Sequence, residues 1–377
     1  MKVLFKRNHG RIKVLLIATI SFLFGCMVAI NLYPIERTCK LDDVDREYNI
    51  MNNEKLKNPD LIILILSAPQ NHEKRQIIRD TWLKLQVIQP HIKEENAKFK
   101  LKHYFAIGSV GLPDAKLQEL RAEQTDHSDM LILPIQDSYQ NLTFKVLKSF
   151  SWLSDQVDYG LGFKYLLKCD DDSFVRLDHL AEELLSFELL YNNEKTQFNF
   201  EDTNVYDSHY MRVNVQANSA LTMQRASKLG IYWGYFHGAA HVKQKGKWKE
   251  DDWILCDNYI TYALGGGYIL SRNLVQYIAS NEDHLKLYNS EDVSVGAWLG
   301  TKNQLVRIHD IRFDTEWKSR GCQNFYLVTH PMTPDEMRTL YQNILAGSEL
   351  CDTERTQRKQ YLYDWRAPPS QCCKTQH

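Results

Sequence analysis

A chain of 377 residues with 44% hydrophobic content is long enough to bury a real core, as one large domain or two ordinary ones. Lys and Arg number 46 against 47 Asp and Glu, and a formal charge of −1 gives no sign of the basic excess that marks a nucleic-acid binder.

The N-terminus differs from the rest. Lys2, Lys6, Arg7, Arg11 and Lys13 form a short basic tail (1–13) before an uncharged run, 14–33, "VLLIATISFLFGCMVAINLY", which has the roughly 20 residues a bilayer core requires. A cleaved signal peptide is the competing reading. Its apolar region usually covers about 7 to 15 residues and ends at a small-residue cleavage site, for which Ala29-Ile30-Asn31 is a poor match. Basic residues on the N-terminal side predict a single-pass type II membrane anchor, with everything after Tyr33 on the far side. Residues 34–58 are polar, charged and without apolar period, and read as a stem.

That orientation sets the redox compartment. Beyond Cys26 in the span, Cys39, Cys169, Cys256, Cys322, Cys351, Cys372 and Cys373 face a space where disulfides persist. Their number is odd, so one thiol stays free or joins two chains; Cys39 is best placed to link a homodimer. Zinc is the rival, but there is no Cys-x-x-Cys, and the adjacent Cys372 and Cys373 are a poor tetrahedral pair. Connectivity does not follow from the spacing. The only glycosylation sequon is at Asn141.

From Leu61 the elements can be read in order. "LIILILSAP" (61–69) is a continuous apolar run of the kind that forms a buried strand, ended by Pro69. In "NHEKRQIIRDTW" Asn71 can cap a helix, and Arg75 and Arg79 share one face near its start, a placement that suits a phosphate or carboxylate; an ordinary solvated face is the alternative. "HYFAIG" and "DMLILPI" read as strands and "NLTFKVLKSFSWL" as a helix. "GFKYLLKCD" alternates apolar residues with lysines, a strand running straight into Asp170, Asp171 and Asp172, after which Asp178 can cap another helix. Strand and helix alternate, which predicts an α/β domain with a mostly parallel central sheet.

The three aspartates then fall at the C-terminal end of a strand, where open α/β sheets bind ligands. Crowded carboxylates there suit Mn²⁺ or Mg²⁺, which take oxygen ligands and complete their shell with substrate phosphates. Asp-x-Asp alone is a weak signal, and a solvated turn would also explain it. With arginines upstream and a luminal setting, the chemistry it fits is transfer from a nucleotide-sugar.

Eight motifs in order, "RQIIRDTW" (75–82), "FAIG" (105–108), "DSYQNLTFK" (137–145), "KCDDDSF" (168–174), "YWGYF" (232–236), "YALGGGYILS" (262–271), "EDVSVGAWL" (291–299) and "LVTH" (327–330), resemble the β1,3-galactosyltransferases and their β1,3-N-acetylglucosaminyl relatives. They cover almost the whole domain from 59 to 377. "RFDTEW", "SRGCQNFYLVTH" and "YDWRAPPSQCC" are most similar to the galactosyltransferase II branch, which adds the second galactose of the glycosaminoglycan–protein linkage region. A polar segment, 191–229, departs from the pattern and reads as an exposed insertion.

The resemblance implies a GT-A type fold, residence in the Golgi membrane, UDP-galactose as donor, and a glycan acceptor on proteoglycan core proteins. It implies Mn²⁺ on Asp170, Asp172 and His330; without it His330 would rank level with His309. Asp171 would face the donor, and Arg75, Arg79 and Asp137 would contact UDP. Asp292 would be the base, with Glu291 beside it at the substrate, although capping after Ser290 would also account for both acids. Gly265, Gly266 and Gly267 could let a sugar approach the backbone, or mark a bulge. Trp233, Tyr235 and Trp253 could stack on sugar faces or belong to the core. An N-acetylglucosaminyltransferase, a non-catalytic carbohydrate-binding protein and a phosphohydrolase are the alternative functions; the last would need a second metal or a nucleophile that the sequence does not offer.

Overall fold

Leu61–Leu66 (β1) is apolar at all six positions and buried at all six, as a strand covered on both faces must be. The computed structural model describes residues 58–87, 99–192, 213–216, 230–347 and 349–373, with Ser21 standing alone. Among them no helix is long and apolar enough to cross a membrane. The predicted 14–33 anchor, most of the stem, Cys26 and Cys39 lie outside the described residues.

After β1 come helix α1 (His72–Asp80), β2 (Leu101–Gly108), α2 (Asp114–His127), β3 (Met130–Leu133), α3 (Leu142–Asp158) and β4 (Tyr165–Asp170). These four strands lie side by side in the order β3-β2-β1-β4, all parallel, as the strand–helix alternation predicts. Ile63 and Ile65 of β1 pack into one hydrophobic layer and Ile62, Leu64 and Leu66 into the other, the two-sided alternation of a strand between helices.

The second half is arranged differently. β5 (Phe174–Val175), α4 (Leu177–Asn192), β6 (Val213–Gln216), β7 (Gly230–His237) and β8 (Tyr262–Ser271) follow, then α5 (Arg272–Ser280), α6 (Glu291–Gly300) and β9 (Leu305–Asp310). The eight-stranded sheet continues from β4 through β8, β7 and β9 to β6. Here β8 is antiparallel to both β4 and β7, β9 is parallel to β7, and β6 is antiparallel to β9. The polar 191–229 stretch is thus not wholly an insertion, because α4 reaches Asn192 and β6 closes the sheet edge.

A small sheet, β10 (Phe313–Asp314), β12 (Val328–Thr329) and β5, packs against β7 and β8, with Phe313 beside Trp233 and Val328 beside Gly267. β11 (Gly321–Cys322), helix α7 (Pro334–Gly347) and β13 (Arg355–Thr356) complete the elements, and Cys322–Cys351 ties the β11–β13 region together. Cys372 and Cys373 are bonded to each other, so they offer no zinc ligands, while Cys169 is a buried and Cys256 an exposed free thiol.

The last described segment folds back on the sheet. The Tyr361 hydroxyl donates to the Phe236 carbonyl (2.7 Å), His309 Nε2 donates to the Tyr361 carbonyl (2.9 Å), and the Tyr363 and Trp365 rings stack 3.9 Å apart.

Two of the three predicted caps stand where expected, without a side-chain capping bond. Asn71 and Ser290 stand at the N-cap positions of α1 and α6 but make no capping bond, and Asp178 lies inside the first turn of α4, gripped by Arg176.

Candidate active site

β1 and β4 pair in register up to Leu66 and Asp170, and the chain leaves β4 with the Asp171 amide still bonded to the Leu66 carbonyl (3.1 Å). The acids therefore sit at the C-terminal edge of the parallel strands, where sheets of this kind bind ligands. The turn continues into β5, which pairs with β12 so that Phe174 lies opposite Thr329. The next residue after Thr329, His330, thereby stands over the acids. Its Nε2 is 3.3 Å from Asp172 Oδ1 and 3.9 Å from Asp170 Oδ2.

These three side chains suit a divalent cation. Their ligand atoms lie within 4.8 Å of one another, and adjacent ligands of an octahedral ion with bonds of about 2.1 Å are about 3 Å apart. His330 Nδ1 lies 3.2 Å from the Glu316 carbonyl, which can only accept, so Nδ1 donates there and Nε2, the nitrogen facing the carboxylates, is the one a cation would take in place of a proton. Burial opposes protonation of His330, but the Asp172 and Asp170 carboxylates outweigh it and raise its pKa. His309, by contrast, is wholly enclosed in the core.

Asp171 turns away from this group. Its carboxylate accepts from Asn71 Nδ2 (2.8 Å) and Lys74 Nζ (3.0 Å), and Lys74 is also 3.7 Å from Asp172. Asp171 is buried and fixes the start of α1 to the acidic turn. Neighbouring carboxylates tolerate this crowding because Lys74, Lys168 and His330 stand among them.

The arginines are corrected. Arg75 is 0% exposed, makes a two-bond fork with Glu123 (2.8 and 2.7 Å) and spends its remaining donors on Ser67 and Ala68. Arg79 forks onto Asp129 (2.8 and 2.9 Å) and also meets Glu123. A guanidinium desolvated and paired in this way anchors α1 to α2 and is not free to bind UDP. Asp137 accepts from the Gly108 amide and from Lys145 Nζ, both at 2.8 Å, and lies half-buried at the C-terminal end of β2.

On the other side of the metal group, α6 presents Asp292 half-buried in its first turn. Asp292 accepts from the Gly265 amide (3.1 Å) and the Val293 amide (2.8 Å), and burial raises its pKa against the Lys168 ammonium. A carboxylate held by two amides, with raised basicity, is suited to take a proton.

Glu291 points the opposite way, 4% exposed, onto Lys168 Nζ and the Tyr268 hydroxyl (3.0 Å), so its expected substrate contact is corrected to an internal ion pair. Burial pushes Glu291 up to about 7.

The glycine run of β8 has a reason within the protein itself. A Cβ on Gly266 would lie 2.6 Å from His330 Cγ, and one on Gly267 would lie 2.8 Å from Val328 Cγ1. Sugar stacking by Trp233 and Tyr235 is likewise corrected. Both are buried, and the Trp233 indole donates to Asp310 Oδ2 (2.9 Å). Trp253 is half-buried edge-on against Tyr259 (5.0 Å). In the sequon, Asn141 Nδ2 donates to the Gln136 carbonyl (3.0 Å), while Thr143 is buried and bonded to the Tyr288 carbonyl.

Sequence reasoning missed three lysines. Lys74, Lys145 and Lys168 neutralise the acids, and the only signal for Lys168 was a charge at an inward position of an otherwise apolar strand.

A mixed α/β fold with an acid-and-histidine group at the sheet edge and a separate basic carboxylate is an arrangement that suits a glycosyltransferase. The galactosyltransferase family model matches residues 73–310, and the chain belongs to that family. It is 40% identical over 314 residues to mouse beta-1,3-galactosyltransferase 6, covering 83% of this chain and 82% of that one. More distantly, it is 28% identical over 231 residues to UDP-GalNAc:beta-1,3-N-acetylgalactosaminyltransferase 2 of Xenopus tropicalis, covering 61% of this chain and 37% of that one. It is 25% identical over 297 residues to hydroxyproline O-galactosyltransferase GALT2 of Arabidopsis thaliana, covering 77% and 36%.

Proposed function

We propose that this protein is an inverting β1,3-galactosyltransferase of GT-A type that moves galactose from UDP-galactose to the galactosyl-xylose of the proteoglycan linkage region. The 40% identity to mouse beta-1,3-galactosyltransferase 6 along most of both chains supports the donor and linkage. The observation that carries the mechanism is the meeting of Asp170, Asp172 and His330 on one side of Gly265–Gly266 and Asp292 on the other.

Asp170, Asp172 and His330 would hold Mn²⁺ or Mg²⁺, which supplies charge neutralisation to the departing diphosphate. Asp292 takes the proton from the acceptor 3-hydroxyl. The acceptor oxygen bonds to the anomeric carbon as the bond to the β-phosphate oxygen breaks, UDP leaves, and the α-linked donor sugar becomes a β-linked product. Lys74, half-exposed beside Asp171 and Asp172, is the cation placed to meet the diphosphate in place of Arg75 and Arg79. The 14–33 segment would anchor the enzyme in the Golgi membrane with this domain in the lumen.

The test is a panel of UDP-galactose and UDP-N-acetylglucosamine against galactosyl-xylose and lactose, with and without Mn²⁺. Transfer of galactose to galactosyl-xylose, abolished by EDTA, is the expected result. An inert galactosyl-xylose with every donor would refute the linkage-region assignment, and N-acetylglucosamine transfer would reassign the donor.

A further inference from the structure

Lys168 lies on β4 two residues before Asp170 and is 1% exposed, an unusual place for an ammonium. All three of its donors are used. One goes to Asp170 Oδ1 (3.0 Å), one to the Gly265 carbonyl (2.7 Å) and one to Glu291 Oε1. Each contact leads to a different part of the site. The Asp170 bond occupies one carboxylate oxygen and leaves Oδ2 toward His330, 3.9 Å away. The Gly265 bond holds a residue whose own amide donates to Asp292 (3.1 Å). Glu291 precedes Asp292 in α6, and its second oxygen is fixed by the Tyr268 hydroxyl (3.0 Å).

We propose that Lys168 is a positioning residue that sets the metal-side carboxylate and the base in one register, with Glu291 as its fixed counter-charge. The inference deepens the galactosyl-transfer reading and rests on it. An ion pair that merely held the fold together could be replaced by an uncharged pair of similar shape with little loss, since burying two charges is itself costly. A positioning pair cannot, because the neutral replacement leaves Asp170 and Gly265 without their donor.

Three variants separate these roles: Lys168→Met, Glu291→Gln, and the double Lys168→Met/Glu291→Gln. The double keeps the net charge of the pair but removes a cation 3.0 Å from Asp170, which on charge alone would favour Mn²⁺, so weaker Mn²⁺ binding would report geometry. Lys168→Met strands the buried Glu291 carboxylate, and Glu291→Gln leaves Lys168 with Asp170 as its one counter-charge, so each single variant should lower Tm. The double should recover most of that Tm yet keep kcat depressed, by about 10²-fold, the size of loss that small misplacements of reacting groups produce. KM for UDP-galactose should stay within a few-fold of the parent. Mn²⁺ titration of the double followed by electron paramagnetic resonance, without substrates, should show weaker binding than the parent. Recovery of both Tm and kcat in the double, or a Lys168→Met protein with parental kcat, overturns the inference while leaving the galactosyl-transfer reading intact. A parent protein that neither transfers galactose nor binds Mn²⁺ overturns both together.

Discussion

Among the described residues Asp292 accepts from two main-chain amides, Gly265 at Oδ2 and Val293 at Oδ1, so an amide in place of its carboxylate removes the basicity and gives up one of those two bonds. Asp292→Asn should lower kcat by about 10²–10⁴-fold, the usual worth of a positioned base, with Tm within a few degrees of the parent; loss of fold without a specific loss of rate would count against the assignment. Arg75 gives the opposite expectation. Its fork to Glu123 is fully enclosed, and breaking such a pair from one side costs about 3–5 kcal/mol. Arg75→Met should therefore lower Tm sharply, while KM for UDP-galactose in the surviving folded protein stays unchanged; a raised KM with parental Tm would return this arginine to the donor site. At this scale the aspartates were legible because a strand pattern ran directly into them. Arg75 was not, because helical spacing shows which residues share a face but not that Glu123, 48 positions on, will occupy it.

β8 is a strand whose glycines are defined by what crosses it. His330 packs where a Gly266 Cβ would be. Gly266→Ala must push the imidazole off the two carboxylates, a small-to-large change costing about 1–3 kcal/mol. The Mn²⁺ concentration for half-maximal activity should rise several-fold while KM for the acceptor changes little, and an unaltered metal requirement would show that His330 is not a ligand. The glycine run was visible in the sequence, but its partner was not, since β5 and β12 bring residues 174 and 329 together from far apart in the chain. The missing cap bond of α1 has a related reason. Asn71 has cap chemistry, yet its amide is drawn to Asp171 across the sheet edge, a tertiary contact that overrides the local preference.

Across the molecule the first half could be read because parallel strands under helices give unbroken apolar runs. The second half could not be ordered, since β8, β7, β9 and β6 mix directions and the β6 strand is embedded in a polar stretch. Two histidines, His309 buried and His237 half-buried, make a whole-molecule prediction. Burial depresses both His237 and His309 from 6.5 to about 4. The His309 ring accepts from the Phe236 amide at Nδ1 and donates from Nε2, leaving no place for a second proton. Depressed pKa values mean stability that is complete above pH 6.5 and is lost as pH falls toward 4, with a slope of up to about 2.7 kcal/mol per pH unit from two protons. Tm should fall across that window, and His237→Gln should flatten the curve; a Tm independent of pH between 6.5 and 4 would contradict the buried neutral state.

The return of Tyr361, Tyr363 and Trp365 onto β7 has a genetic corollary. A transcript stopped just after Cys351 would still encode Asp170, Asp172, Asp292 and His330, the residues proposed to carry the transfer. Such a product would nonetheless leave His309 without its carbonyl partner and strip cover from Phe236, so late nonsense alleles should behave as full losses of protein rather than as mild ones.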